Sequence, residues 1–529
     1  MPQNTGEIQW LINQLNQNQG RDLNKNVPKI KLNQLASKLG FFYEKIRNVS
    51  DYKEEHLIRR ESLKRLINRQ IKFLGERDPL KISQTVIFEF IRAKYLPNGV
   101  LPETDIEDTA VIIAKYLIII KFIAKNPLPK KIQLVDWFIG LLACEIDDFL
   151  FPAKHEKAIT GFMYGEMIKS VVFAKNHISE TERNIQLYIA TLKNLLKADN
   201  DLICYHLLKL YKPNWQKLSP KEVKAFCEQI PELKTKIDNH LYHYSSYQLS
   251  LMLRSQAVFF DILKELLETN RDKIKEIIED EKKLEETIEA IANNNYQKVR
   301  NKLLTSIIRV IIFILATKVA FTFIMELPYA KLIKDQTTWQ TLIVNTTFHP
   351  VFMAFIALTI RVPAQKNTRV IIEQVKKIIY GQERKLVYKP RKILKRGGFA
   401  FWFLNLIYLI MFSLSFGVIA WVLYKINFSL ISGIIFILYL TIISFFAFRL
   451  KNFANKYLVL PRKENLRNLL IDFFTIPLIR AGKSLSEYFS KINIFIYVLD
   501  FLIETPFKKA VEGIDAAISY IGEKREEIE

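Results

Sequence analysis

The sequence predicts an all-α protein, in which a soluble helical domain is followed by a four-span transmembrane region and a helical tail. Three observations support this fold class. Glycine and proline number only 16 and 18 in 529 residues, which favours long helices with few turns. The longest apolar runs without formal charge lie in the second half of the chain. The chain is 50% hydrophobic yet 25% charged, which indicates a water-soluble part joined to a lipid-soluble part.

Residues 1–230 are predicted to form a cytoplasmic helical domain. An apolar run at Ala110–Ala124 is interrupted by two lysines and is too short to cross a bilayer, so we expect it to be a buried helix of the soluble core. Capping boxes, in which a hydroxyl residue precedes a glutamate by three positions, predict helix starts at Thr104, Ser179 and Ser219.

Residues 231–300 are predicted to form a long helix, because neither glycine nor proline occurs between Pro231 and Pro328. Spacings of three and four residues define a short coiled-coil-like seam over residues 267–291. The seam either packs within the chain or binds other proteins or a second copy. Its members are Leu267, Asn270, Ile274, Ile277, Glu281, Leu284, Ile288 and Ile291. The three asparagines at 293–295 are expected to break or bend the helix just before the first span.

Four apolar segments are predicted to cross a membrane. Residues 399–424 and 428–448 carry no formal charge and are separated by a three-residue turn, which indicates a transmembrane hairpin. Residues 301–360 hold two weaker spans, at 303–327 and 342–360. The first of these carries three charged residues and the second a central His-Pro pair. For this pair, two interfacial helices are the alternative.

The basic residues predict the orientation of the chain in the membrane. Residues 361–398, predicted as a basic cytoplasmic loop, contain 12 Lys/Arg and 2 Glu, a net charge of +10. Residues 449–467 contain 6 and 1, a net charge of +5, so the two segments hold 15 of the 23 excess positive charges. Because Lys/Arg-rich loops stay on the cytoplasmic side, we expect a bacterial cytoplasmic (inner) membrane protein with both termini cytoplasmic.

The same segments make predictions about the tail and about binding partners. Residues 449–529 are expected to form a cytoplasmic amphipathic helical tail, in which Ile492–Phe507 lies on the membrane or packs on the hairpin. Because topology accounts for most of the excess charge, no specific nucleic acid is predicted as a partner. The three cysteines fit a reducing compartment.

The lipid bilayer with anionic headgroups is the predicted partner of the basic loop. An amphipathic segment, Val370–Ile379, precedes a cluster of basic side chains, each worth about 1 kcal/mol near an anionic surface. The predicted lipid-contact residues are Lys385, Lys389, Arg391, Lys392, Lys395 and Arg396.

A possible intramembrane polar site is centred on Lys318, which lies near the middle of the first span. An ionised amine in hydrocarbon is costly, so it must pair, face water or lose its proton. The polar residues available at mid-depth in the other spans are His349, Asn345 and Asn405. The functional interpretation is a polar path for transport; the alternative is a shallow helix or a lysine that reaches the interface.

Candidate chemistry outside the membrane is limited to one acidic cluster. Its members are Glu145, Asp147, Asp148, His155 and Glu156, and they would serve a membrane-bound helical enzyme if they converged. Gly482-Lys483-Ser484 resembles the end of a phosphate-binding loop, but the position of the first glycine is Pro477. The sequence therefore predicts no catalytic residue, no cofactor and no metal site.

Two stretches carry a resemblance to a known group of proteins. RNIQLYIATLKNLLKADNDLICYHLLKLYKPNW at 183–215 and IPLIRAGKSLSEYFSKINIFIYVLDFLIETPF at 476–507 resemble uncharacterised multi-pass membrane proteins of bacteria with small, AT-rich genomes. The resemblance implies a bacterial inner-membrane location and carries no assigned activity.

The function predicted from these features is that of a non-enzymatic, membrane-tethered scaffold or interaction platform. The alternative is a transport component with a polar path near Lys318 and His349. The second alternative is the helical enzyme that would use the Glu145–Glu156 acidic cluster.

Overall fold

The computed structural model shows an all-α protein, as predicted. It describes residues 6–16, 27–32, 55–173, 178–326, 328, 339–360, 363, 365–389, 398–460, 465–491, 513 and 520. Within these residues the chain divides into two compact units. A helical unit comprises residues 3–271 and 383–390, and a membrane unit comprises residues 272–382 and 391–495.

The helical unit contains eleven of the described α-helices and both described strands. The helices are α1 (Gly6–Asn16), α2 (Glu55–Asn68), α3 (Pro79–Arg92), α4 (Thr104–Lys125), α5 (Lys131–Leu150), α6 (Lys154–Ser170), α7 (Glu180–Leu195), α8 (Asn200–Tyr211), α9 (Pro220–Cys227), α10 (Ile230–Leu241) and α11 (Tyr244–Thr269). Strand β1 (Val171–Phe173) pairs in parallel with β2 (Leu386–Tyr388).

The core of the helical unit is built around α4 and α5. The Ala110–Ala124 run lies in α4 and buries Ile113, Ile119 and Ile123 against neighbouring helices, which confirms it as a core helix. Ser219 and Glu222 form the complete capping box at α9, and the Ser179 hydroxyl accepts from the Glu182 N–H at α7. At α4 the helix starts at Thr104, but its N-cap makes no side-chain hydrogen bond.

The membrane unit contains the remaining seven described α-helices. They are α12 (Ile274–Glu279), α13 (Glu281–Phe321), α14 (Trp339–Thr359), α15 (Gln365–Ile379), α16 (Phe399–Lys425), α17 (Leu430–Ala454) and α18 (Leu466–Lys491). Among the described residues, three helical segments are long and apolar enough to cross a membrane: Glu281–Ile324, Phe401–Lys425 and Leu430–Ala454. Ile343–Thr359 is apolar but shorter.

The predicted single helix over 231–300 is wrong. That stretch forms α10, α11, α12 and the first half of α13, with breaks at Tyr242, Asn270 and Asp280. Absence of glycine and proline does not force continuity, because other residues also end helices. The Asp280 side chain accepts from the backbone N–H groups of Lys282 and Lys283 and so starts α13 afresh.

The apolar residues of the predicted seam are buried within a single chain. Ile274, Ile277, Leu284, Ile288 and Ile291 are each at most 8% exposed. The seam therefore faces its own unit instead of forming one exposed helical stripe. The asparagines at 293–295 do not break the helix, since α13 continues through them to Phe321.

The predicted basic loop, residues 361–398, is partly ordered. Helix α15 buries the apolar side of the Val370–Ile379 segment, with Ile371, Val375 and Ile378 enclosed in protein. Lys376 forms ion pairs with Glu281 and Glu285 at the start of α13. The amphipathic pattern thus reflects packing in the membrane unit, because its apolar side is covered by protein.

Helix α18, which belongs to the predicted tail, packs against the hairpin formed by α16 and α17. A Cβ atom placed on Gly482 would lie 2.1 Å from the Thr441 carbonyl oxygen, near the middle of α17. Arg480 lies 4.8 Å from the centre of the Tyr408 ring of α16. Gly482 of the Gly-Lys-Ser sequence therefore allows the backbones of α17 and α18 to approach each other closely. Ile492–Phe507 lies outside the described residues.

Replacing Gly482 by alanine should disrupt the α17–α18 crossing, because backbone atoms of α17 cannot yield to a new methyl group. We expect the thermal midpoint of the detergent-solubilised protein to fall by several degrees. Gly417→Ala in α16 is the matched control, since nothing lies within 4 Å of that Cβ position. Equal midpoints for the two variants would contradict the crossing.

Candidate intramembrane polar site

Lys318 lies inside the membrane unit and not at its surface. Its side chain is fully buried, although it belongs to α13, one of the helices that can span a membrane. Around it are apolar residues of α13, α14 and α17, including Ile314, Met353 and Ile443. Because a charge in such surroundings is costly, its neighbours decide what the site can do.

Tyr439 of α17 is the aromatic neighbour of Lys318. The ammonium nitrogen lies 5.0 Å from the centre of the Tyr439 ring, within the range of a cation–π contact. Phe321, one turn beyond Lys318, packs edge-on against the same ring at 6.0 Å. The ring of Tyr439 therefore faces the lysine with its electron-rich π surface in a place without bulk water.

His349 of α14 is the second buried polar group of the site. Its ring centre lies 5.7 Å from that of Tyr439 and 4.5 Å from that of Phe436. Nδ1 is 3.1 Å from the Asn345 carbonyl oxygen, and Nε2 is 3.1 Å from the Phe436 carbonyl oxygen. A neutral imidazole has one N–H and donates to only one of these acceptors, whereas the imidazolium donates to both.

The structure brings together two of the three predicted polar residues. Lys318 and His349 meet around Tyr439, whereas Asn405 is exposed on α16. Asn345 takes a place next to His349 one turn earlier in α14, where it is fully buried. Sequence reasoning missed Tyr439, because an aromatic residue in an apolar run carries no signal until the helix faces are known.

The arrangement gives the membrane unit two nitrogen bases within one buried aromatic cluster. Lys318 supplies an amine and His349 an imidazole, contributed by different helices. Such a pair can hold a proton or receive an anionic group at a depth where lipid offers neither. Proton transfer and anion binding are therefore the two kinds of chemistry that the candidate site can support.

The predicted lipid-contact residues fall partly outside the described chain. Lys385 and Lys389 are exposed on either side of β2, and Lys385 pairs with Glu383 at 3.0 Å. Arg391, Lys392, Lys395 and Arg396 lie outside the described residues.

The acidic cluster of the helical unit is dispersed into separate ion pairs. Asp147 pairs with Arg59 at 2.5 Å, and Asp148 pairs with Lys157 and Lys209. Beyond these, the His155 ring nitrogen lies 2.9 Å from Glu268, and Glu156 pairs with Lys264 at 2.7 Å. In the part of the chain that the structure describes, no three possible ligands come together to hold a metal ion.

The remaining member of the acidic cluster, Glu145, forms a deeply buried ion pair with Lys115. Its carboxylate accepts from the Lys115 ammonium at 2.5 Å, from the Tyr116 hydroxyl at 2.7 Å and from the Trp215 indole N–H at 2.7 Å. Lys115 also donates to the Trp215 carbonyl at 3.1 Å. Burial lowers the pKa of Lys115 while Glu145 opposes that shift, and burial raises the pKa of Tyr116 well above its usual value.

Comparison with protein-family models, curated proteins and solved structures finds no match to this chain. The assignment of a function therefore depends on the geometry described above.

Replacing Lys115 by methionine should destabilise the helical unit by about 3–5 kcal/mol, because Glu145 would keep a buried charge without its cation. Lys121→Met, at an exposed position of the same helix, is the control. Adding Glu145→Gln to the Lys115 variant should restore part of the loss, since the amide oxygen still accepts while the charge is gone. Denaturant unfolding of the intact protein measures all three, and a Lys115→Met variant as stable as the control would refute this account.

Proposed function

We propose that this protein is a membrane-tethered interaction platform, in which the helical unit presents a surface to a protein partner. One observation carries the proposal. The helical unit includes one described stretch of chain that ends at Arg271 and another that begins at Glu383, and the part of the membrane unit from α12 to α15 lies between them in the sequence. A domain that is attached at both ends of such an insertion is held to the membrane more firmly than a domain on one linker.

Strand pairing and side-chain hydrogen bonds hold the stretch that begins at Glu383 within the helical unit. Strand β2 pairs with β1 in register, Val171 opposite Leu386 and Phe173 opposite Tyr388. The Tyr388 hydroxyl donates to the Gln248 side chain at 3.1 Å, and the Arg384 guanidinium donates to the Gln256 side chain. Because Tyr388 and Arg384 are both buried, residues 383–390 are an integral part of the unit.

The surface of α11 indicates where a partner should be sought. Tyr244, Tyr247 and Leu251 lie on one side of the helix at spacings of three and four residues, and each is exposed. Tyr242, just before the helix, is also exposed. Tyrosine is enriched at protein interfaces because it joins a large apolar ring to a hydrogen-bonding hydroxyl.

A photo-reactive residue at Tyr247 should form a discrete adduct with one protein in native membranes. The same residue at Val111, which is exposed on another helix, is the matched control and should give none. The adduct should also disappear when Leu251 is replaced by aspartate, which leaves the fold intact but makes the surface charged. An unreactive Tyr247 position, or equal labelling at both positions, would contradict a platform that uses α11.

Transport is the second candidate, because Lys318 and His349 converge on Tyr439 within the membrane unit. Reconstituted vesicles distinguish the two functions. Proton or anion flux that falls in Lys318→Leu would favour transport, whereas vesicles without flux would leave the platform as the better account.

The finer location belongs to the same proposal: four spans in a bacterial inner membrane, with the basic loop and both termini in the cytoplasm. The proposed fourth span is α14, whose apolar part, Ile343–Thr359, is shorter than the other three and lies at the lower limit of about 17 residues that can cross a bilayer. The +10 net charge of residues 361–398 supports this orientation, because moving each charge against the membrane potential costs about 2.3 kcal/mol per 100 mV.

Cysteine labelling in intact cells should distinguish the two orientations. Lys425→Cys, at the end of α16 next to the turn that leads to α17, should react with an impermeant reagent, and Glu383→Cys should be protected until the cells are opened. Background labelling should be low, since the natural cysteines Cys144, Cys204 and Cys227 are buried. Labelling of Glu383→Cys but not Lys425→Cys in intact cells would invert the orientation.

A further inference from the structure

We propose that Tyr211 of the helical unit is a nucleophile that accepts an acyl group from an activated ester, with His240 as its general base and Glu182 as the residue that orients the base. The three side chains come from three helix ends. Tyr211 is the last residue of α8, His240 lies in the last turn of α10, and Glu182 lies in the first turn of α7. The site is separate from the intramembrane cluster, and the inference does not depend on the proposed platform or on transport.

Hydrogen bonds join the three side chains in a row, with His240 in the middle. Nδ1 of His240 lies 2.8 Å from one carboxylate oxygen of Glu182 and 3.0 Å from the other, and Nε2 lies 2.5 Å from the Tyr211 hydroxyl oxygen. Because a carboxylate only accepts, Nδ1 carries the proton, and in the neutral ring Nε2 accepts from the Tyr211 hydroxyl. A hydroxyl that donates to a base, which a third group orients, is the arrangement that activates a nucleophile.

The Tyr211 and His240 rings lie end to end. Their centres are 6.0 Å apart, and their planes differ by only 16°. Since the hydroxyl oxygen is only 2.5 Å from Nε2, it approaches the imidazole at its edge, where the lone pair of Nε2 lies. The geometry therefore suits transfer of the hydroxyl proton to the ring.

Glu182 is turned toward His240 although its position suits a capping role. It follows Ser179 by three residues, and the Ser179 hydroxyl accepts from the Glu182 N–H at the start of α7. At α9 the corresponding Glu222 side chain returns to its own N-cap, whereas the Glu182 carboxylate contacts the imidazole. Gln186, one turn later in α7, donates to Glu182 and to the His240 carbonyl oxygen, each at 2.8 Å, and so holds the carboxylate against α10.

The row of side chains reaches the protein surface at Tyr211. The His240 side chain is 13% exposed and that of Glu182 20%, and Tyr211 is partly exposed. Burial raises the pKa of Tyr211, and Glu182 raises it further, whereas Lys236 lowers it. The hydroxyl is therefore protonated at neutral pH, and a base must take its proton during attack.

The charges around Tyr211 favour a neutral acyl group over a phosphoryl group. Glu182 is negative, and the nearby Lys236 is already paired with Glu232 at 2.8 Å. A phosphate ester would bring more negative charge close to Glu182, whereas an ester carbonyl brings none. In the proposed step the Tyr211 oxygen bonds to the carbonyl carbon of an aryl ester or thioester, and the bond from that carbon to the leaving oxygen or sulfur breaks. The hydroxyl proton passes to Nε2 of His240 and then to the leaving group.

Acetylation of the full chain in nanodiscs by 4-nitrophenyl acetate tests the inference, with the modified residues identified and timed by mass spectrometry of the digested protein. Tyr242, which is 73% exposed, is the internal standard for a tyrosine in water. We expect Tyr211 to be acetylated about 100-fold faster than Tyr242, because a positioned base contributes about 10²–10⁴ in rate. Equal rates at the two tyrosines would overturn the proposal. Faster modification of Tyr211 by 4-nitrophenyl phosphate than by the acetate would overturn it as well.

Variants assign the roles of His240 and Glu182. His240→Asn keeps a donor for Glu182 but lacks a base, so acetylation of Tyr211 should fall to the rate at Tyr242. His243→Asn is the matched control and should react like the natural chain, since His243 caps α11 and asparagine also caps helices. Glu182→Ala should slow acetylation of Tyr211 at least tenfold, and Glu182→Gln should restore most of the rate, because its amide oxygen still accepts from Nδ1. An unchanged rate at Tyr211 in His240→Asn would show that these hydrogen bonds are structural only and refute the site.

Discussion

The free-energy cost of removing charge from water constrains both units of this protein. In the helical unit, Lys115 and Glu145 are enclosed together, and Tyr116 and Trp215 saturate the remaining carboxylate oxygen. This one carboxylate of α5 therefore joins α4 to Trp215, which lies 70 residues further along the chain. In the membrane unit, Lys318 lies against the ring of Tyr439. The first arrangement neutralises a charge with a charge, whereas the second places the amine against an aromatic quadrupole.

The parts of the fold that sequence predicted are those that follow from partition between water and lipid. The hairpin segments 399–424 and 428–448 became α16 and α17 because uncharged apolar runs of such length have no better solution. The prediction of one long helix over 231–300 was wrong, because side chains within the stretch compete with the backbone for its hydrogen bonds. The Asp280 carboxylate accepts hydrogen bonds from the first backbone N–H groups of α13 and so starts a new helix there. Gly482 looked like a nucleotide motif, and only the packing of α18 on Thr441 gave it a structural reason.

The candidate intramembrane site was likewise predictable only in part. Lys318 and His349 were predictable, since polar residues are conspicuous in apolar runs. That they meet, and that Asn405 does not join them, depends on which side each helix turns toward its neighbours. Helix packing in a membrane is decided by small steric differences and not by an apolar face that must avoid water, because lipid and protein interior are similarly apolar.

The basic loop shows that one sequence feature serves different purposes at different times. In the proposed orientation, all 12 basic residues of the still unfolded chain at 361–398 would oppose translocation during insertion. Folding then pairs or buries several of them. Lys376 pairs with Glu281 and Glu285, Lys377 pairs with Glu373, and Arg384 is buried beside Gln256. The net charge that the proposed orientation relies on is therefore larger than the charge that remains to attract lipid, so a count of lysines and arginines overstates the attraction to lipid.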